Sequence, residues 1–175
     1  TPAGIYRSKN AGQSWDLMVK GLCCNGYYHF LNINPATKHY YFVNEEDGQI
    51  QISQDGGNTW QNWGQMPVST PFFERHRGLF FYNNKVYVFQ QNYLAIRENG
   101  GPLNGWRPLL ALPNTVDSVG FIYNVIQNDT HLWAETNFGV YHSANLGNTW
   151  TKPLGNTLRR LVARGDTMLV YSGDA

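Results

Sequence analysis

Trp15, Trp60, Trp106 and Trp150 recur at intervals of 45, 46 and 44 residues. Each closes a short polar, glycine-bearing run: SKNAGQSW at 8–15, SQDGGNTW at 53–60, NGGPLNGW at 99–106 and SANLGNTW at 143–150. This recurrence constrains the fold more than any other feature. A fixed period of about 45 residues means one supersecondary unit used repeatedly, each copy burying its faces against its neighbours.

The content of each period is β. HYYFVNEEDGQIQIS (39–53), KVYVFQQNYLAIRE (85–98) and HLWAETNFGVYHS (131–143) align as two alternating runs around a polar turn. Upstream of each lies a further strand that ends in a turn signal: FLNINPAT (30–37), LFFYNN (79–84) and YNVIQNDT (123–130). A short strand follows each tryptophan. Four short strands at this period predict an all-β propeller of four-stranded antiparallel blades, about four in this chain. Continuous blades are expected at about 27–66, 72–110 and 119–154. Residues 158–175 read as the first two strands of a blade and 1–18 as the last two. Two closures follow: the ends pair into one composite blade, or the chain is a piece of a larger propeller. A chain that opens at Thr1 fits a processed or cut protein.

The run at 53–60 resembles the Asp-box, or BNR repeat, with the pattern Ser-x-Asp-x-Gly-x-Thr-Trp. Ser53, Asp55, Gly57, Thr59 and Trp60 match it throughout. Ser8, Asn10, Gly12 and Trp15 carry it in the first copy, and Ser143, Asn145, Gly147, Thr149 and Trp150 in the last. The third copy keeps Asn99, Gly101 and Trp106 with two extra residues. The resemblance implies a propeller of the sialidase, sortilin and xyloglucanase kind, with these runs as structural staples away from any active site. The residue types agree. Asp or Asn accepts backbone N–H bonds in a turn, Gly supplies positive φ, and Trp packs between sheets. Asn in two sister copies keeps the acceptor and drops the charge, so Asp55 reads as a turn residue rather than a catalytic acid.

Charged residues are 14% of the chain and the formal net charge is +1, which gives no electrostatic case for nucleic acid or an anionic membrane surface. No apolar run reaches the ~18 residues of a membrane-spanning helix. Low charge with abundant Asn, Gln, Gly and Thr suits a secreted or cell-envelope protein. Cys23 and Cys24 are adjacent, a strained arrangement for a mutual bridge, and read as structural thiols or a link to another chain. His29, His39, His76, His131 and His142 show no ligand spacing, so neither a metal nor another cofactor is expected. Arg164-Gly165-Asp166 and the sequon Asn128-Asp129-Thr130 both fall at strand turns.

In this plan a ligand sits where the second-to-third-strand loops gather. Those loops are 44–48, 90–92, 135–137 and 172–175, with Glu45, Glu46 and Glu135. First strands bring Tyr28, His29, Arg75, Arg77, Tyr123 and Arg159 to the same end. Arginines from different blades can grip a carboxylate with two bonds, and faces such as Trp133 or Tyr41 can stack on a sugar ring. The alternative is a solvated rim of ion pairs with Trp133 in sheet packing. For catalysis, Arg75, Arg77, Arg159, Tyr123 and Glu135 are the residues a sialidase reading would draft, but the family's Phe/Tyr-Arg-Ile-Pro motif is absent. A xyloglucanase-like reading needs two opposed carboxylates about 6.5–9.5 Å apart for inversion, and no such pair stands out. The expectation is a non-catalytic module binding a glycan or a protein partner. The alternatives are part of a larger Asp-box glycoside hydrolase, or a structural subunit of an extracellular assembly, including a homo-oligomer.

Overall fold

The computed structural model describes residues 5–18, 28–44, 48–67, 77–98, 100–101, 105–115, 118–155, 158–164 and 167–172. Every element among them is a strand. Strands β1 (Tyr6–Arg7) and β2 (Asp16–Leu17) form a head hairpin. The first complete sheet is β3 (Tyr28–Ile33), β4 (Tyr40–Asn44), β5 (Gln49–Ser53) and β6 (Gln61–Gln65). The second is β7 (Arg77–Tyr82), β8 (Lys85–Gln90), β9 (Tyr93–Glu98) and β10 (Arg107–Ala111). A small hairpin, β11 (Asn114–Thr115) and β12 (Ser118–Val119), links it to the third. The third is β13 (Ile122–Asn128), β14 (His131–Thr136), β15 (Gly139–Ser143) and β16 (Thr151–Leu154). A tail hairpin, β17 (Leu158–Arg164) and β18 (Thr167–Ser172), ends the chain. The three complete sheets are antiparallel meanders in chain order.

The second strand of each sheet reads as a nearly continuous apolar run because both faces are covered. Tyr41 and Val43 point forward, toward the next sheet, and pack with Ile50 and Ile52 against the rear-facing Leu79, Val86, Val88 and Ala95. Tyr87 and Phe89 repeat the forward positions and pack with Leu94 and Ile96 against Ile122, Val125, Leu132 and Ala134. Among the described residues the core is therefore two inter-sheet layers. Tight reversals set the register: Asn83 and Asn84 both take positive φ (45° and 58°), which matches the twist of the β7–β8 hairpin.

The polar run before each tryptophan is the β5–β6, β15–β16 or β1–β2 turn. Ser53 Oγ accepts the Gly57 N–H at 2.7 Å, and Asp55 Oδ1 accepts the Thr59 N–H at 2.8 Å. The acceptor thus reaches four residues on, further than a simple Asx turn. Ser143 and Asn145 reproduce the pair toward Gly147 and Thr149, and Ser8 and Asn10 toward Gly12 and Ser14. Gly57 and Gly147 sit at φ 92° and 84°. A Cβ on Gly147 would also meet Leu109 Cδ2 at 2.9 Å, so this glycine serves the turn and the joint to the second sheet.

One difference among the copies has a measurable consequence. The Thr59 hydroxyl donates to Asp55 Oδ2 at 2.6 Å, whereas Thr149 Oγ1 accepts from Asn145 Nδ2 at 2.8 Å. The Thr59 side chain first, and its N–H second, hold the exposed Asp55 carboxyl at about 2, below its ordinary 3.8. A carboxyl depressed by folding contributes stability above its unfolded value and loses it as pH falls through the folded one. The contribution of this turn is therefore full above about pH 4 and disappears toward pH 2. Carboxyl-resolved NMR should show Asp55 titrating near 2, and moving toward 3.8 in Thr59→Val. Titration at the ordinary value in the unmodified protein would show that the turn does not hold the charge.

The described parts of the two ends are hairpins. β1–β2 and β17–β18 are separate two-stranded sheets, and no ladder joins them among the described residues. Each is held elsewhere. Arg7 donates to the Gly56 carbonyl and to Asn58 Oδ1 on the first complete sheet. Leu161 N–H donates to Glu135 on the third. Among the described residues the head and tail hairpins stay in separate sheets. Trp15, expected between sheets, is 61% exposed, because no sheet lies on its outer side among the described residues.

Candidate functional site

Ladder register defines one common end of the sheets. Tyr28 pairs with Asn44, Arg77 with Gln90, Ile122 with Thr136 and Leu158 with Ser172. Three of these four first strands then slip by one residue at the same place. The register shifts between Tyr28 and Phe30, between Ile122 and Asn124, and between Leu158 and Arg160. The extra residues are His29, Tyr123 and Arg159. A β-bulge leaves its residue out of the ladder and re-aims it, and such features concentrate at sheet edges and binding sites. Tyr28, His29, Arg77 and Arg159 are placed by their backbone. Tyr123 is 41% exposed and stacks on Phe121, with ring centroids 6.5 Å apart.

Of the other residues expected to form a site, Glu135 and Trp133 are engaged elsewhere. Arg75, Glu45 and Glu46 lie outside the described residues, as does Asn99 of the third turn run. Glu135 is 4% exposed and its Oε2 accepts the Leu161 N–H at 3.2 Å, so it fastens the tail hairpin. Trp133 is on the forward sheet face, away from the bulges. It stacks on His142 and His131 at 5.0 and 5.4 Å, and the two imidazoles share a 2.8 Å hydrogen bond. Burial, and then His131, push the His142 pKa down. The loop polar groups are also engaged. Asn92 Nδ2 donates to the Leu112 carbonyl, and Asn137 clasps Phe121 N and the Val119 carbonyl. Both asparagines tie the β10–β13 connection to the ends of the hairpins.

The sequence reading missed Arg97. It lies nearly buried, with its guanidinium carbon 3.7 Å from the Trp63 ring centroid and 4.7 Å from that of Trp106. Burial pushes its pKa down. Arg-Glu at the end of a strand reads as a solvated edge, and only the stacking of two sheets brings both indoles to it. A recess of about 190 Å³ beside it is lined by Lys85, Ile96, Arg97, Glu98, Gly105 and Arg107, with Lys85 and Glu98 paired at 2.6 Å. Among the described residues no three His, Cys, Asp or Glu side chains gather as a metal site.

No family model matches the chain, and no curated protein matches it. Solved structures do. YCF48 from Cyanidioschyzon merolae superposes over 99% of this chain with a TM-score of 0.64 at 18% identity. The fold is a β-propeller. YCF48 bound to a D1 peptide matches over 97% of the chain, with the same TM-score and identity. The GH74 enzyme of Niastella koreensis matches over 95%, with a TM-score of 0.58 at 16% identity. The chain spans 62% and 55% of the two YCF48 chains and 25% of the GH74 enzyme.

Proposed function

We propose that this propeller segment is a recognition module that binds a polypeptide at the bulged ends of its first strands. The observation that carries the reading is the repeated bulge. Three sheets make the same slip, and the residues left out of the ladder are His29, Tyr123 and Arg159, with Arg77 at the equivalent end of the second sheet. Aromatic and cationic residue types at these backbone positions suit an extended peptide bearing carboxylates, which arginine holds with paired bonds. The peptide-bound YCF48 structure supports a protein partner for a propeller of this kind. Four of the described carboxylates already have partners: Asp55 in its turn, Glu98 with Lys85, Asp129 with Tyr82 and Glu135 with Leu161. That favours recognition over acid–base chemistry by these groups.

The test is panning of a displayed peptide library, followed by titration of an enriched peptide. His29→Ala, Tyr123→Ala and Arg159→Ala should each weaken binding about tenfold or more, as anchors at an interface centre do. Trp133→Ala should leave it unchanged. No enriched peptide, or peptides indifferent to the three substitutions, would sink the proposal. Enrichment on a glycan array instead, lost in Trp133→Ala, would move the site to the forward face.

A further inference from the structure

The third polar run departs from its sisters at the residues that staple the turn. Ser53 and Ser143 lie opposite Tyr40 and Leu132, and Arg97 holds the same place opposite Val86. Thr59 and Thr149 stand directly before their tryptophans, where the third run has Gly105. Gln61 and Thr151 stand directly after, where the third run has Arg107. In the sister runs the Ser and Thr side chains bond within the turn. At those two places the third run carries a cation and a residue with no side chain. A turn that served the fold alone would gain nothing from this exchange.

All three replaced positions line the recess on the second sheet. Lys85 lies opposite Glu98 and Ile96 opposite Arg107, and cross-strand partners share a sheet face. Buried Ile96 therefore lies among the charged side chains of Lys85, Glu98 and Arg107, and Gly105 brings nothing to fill the space between them. Arg97 turns to the other face, between Trp63 and Trp106. Three cations thus stand around one carboxylate, a local excess of two positive charges in a chain whose formal net charge is +1. Lys85 bonds Glu98 at 2.6 Å, and its ammonium has two further N–H donors. Arg107 is exposed and offers a planar fork of donors. The recess is at the Tyr82–Lys85 end of the ladder, opposite the Arg77–Gln90 end that aligns with the bulges.

We propose that this recess is a site for a tetrahedral oxyanion, a phosphate or sulfate group, held between Lys85 and Arg107. A point charge on one side and a fork on the other reach several oxygens of one anion. The excess of two positive charges matches a dianion. A carboxylate, with one charge and two oxygens, would leave half of that excess unmet.

Inorganic phosphate and sulfate, titrated at constant ionic strength against chloride, test this. Both should raise the melting temperature in a saturable way, because a ligand of the folded state stabilises it, and acetate should not. Arg107→Gln should weaken binding about tenfold or more, the loss expected for a hydrogen bond to a charged group. Gly105→Thr, which restores the residue type of the sister runs, should fill the recess and abolish binding. Glu98→Gln should tighten it, because the carboxylate beside Lys85 repels an anion. Arg107 and Glu98 are both exposed, so these two variants keep the fold, and circular dichroism checks all three. Shifts no larger than chloride gives, or equal shifts in Arg107→Gln, would overturn the proposal. Acetate acting as well as phosphate would overturn it too, by making the recess a carboxylate site.

Discussion

Replacing Trp150 with alanine should lower the unfolding free energy by about 3 kcal/mol, while the same change at Trp15 should cost the lone chain less than about 0.5 kcal/mol. The two residues hold the same place in nearly identical turns. Both donate to a carbonyl three residues back, at 3.1 Å. They differ in what lies beyond. Trp150 packs on the core between the second and third sheets and bonds the Leu109 carbonyl, whereas Trp15 is 61% exposed. Removing a buried tryptophan forfeits its apolar area and leaves a cavity, about 3–5 kcal/mol in a full core; the half-burial of Trp150 places it at the lower end. Trp150→Phe should cost about 1 kcal/mol, chiefly the lost joint bond. Urea unfolding of the unmodified protein and the three variants gives all three values. Equal losses at Trp15 and Trp150 would mean that the tryptophan stabilises its own turn and the joint contributes little.

That contrast also marks what was legible in the chain. The spacing of the tryptophans and the alternation between them fix which segments are strands and how they pair locally, because hairpin register depends on residues a few positions apart. Asn83-Asn84 and the Ser-x-Asp/Asn-x-Gly runs announce their turns. Contacts between sheets are another matter. Trp15 and Trp150 look the same in sequence, but among the described residues only Trp150 has a sheet packed on it. Glu135 reads in sequence as part of a polar loop, yet it lies on β14 and its carboxylate accepts the Leu161 N–H of the tail hairpin. His29, Tyr123 and Arg159 were recognisable as residue types at the right end of the right strands. That each is the extra residue of a bulge depends on pairing, and no residue pattern in the three strands signals it.

Arg97 carries the second large effect. Arg97→Ala should destabilise the chain by about 3 kcal/mol, Arg97→Lys by about 2, and Arg97→Met by about 1 or less. The guanidinium lies between Trp63 of the first sheet and Trp106 of the second, and Trp63 in turn meets Tyr41 edge-on at 5.0 Å. Alanine would empty the slot between two indoles and lose both cation–π contacts, worth about 2 kcal/mol when desolvated. Lysine keeps the charge but loses the planar face that stacks, and its ammonium is more strongly hydrated, so burying it costs more. Methionine fills the slot with a flexible apolar chain and a polarisable sulfur suited to aromatic faces, and it removes the buried charge altogether. Burial already pushes the Arg97 pKa down, the direction expected of a cation that its surroundings solvate poorly. The decisive quantity is the order of lysine and methionine in urea midpoints. If lysine is the better replacement, charge pairing holds this joint. If methionine is, the arginine acts as a flat filler between two tryptophans, and its charge is incidental to holding the first two blades together.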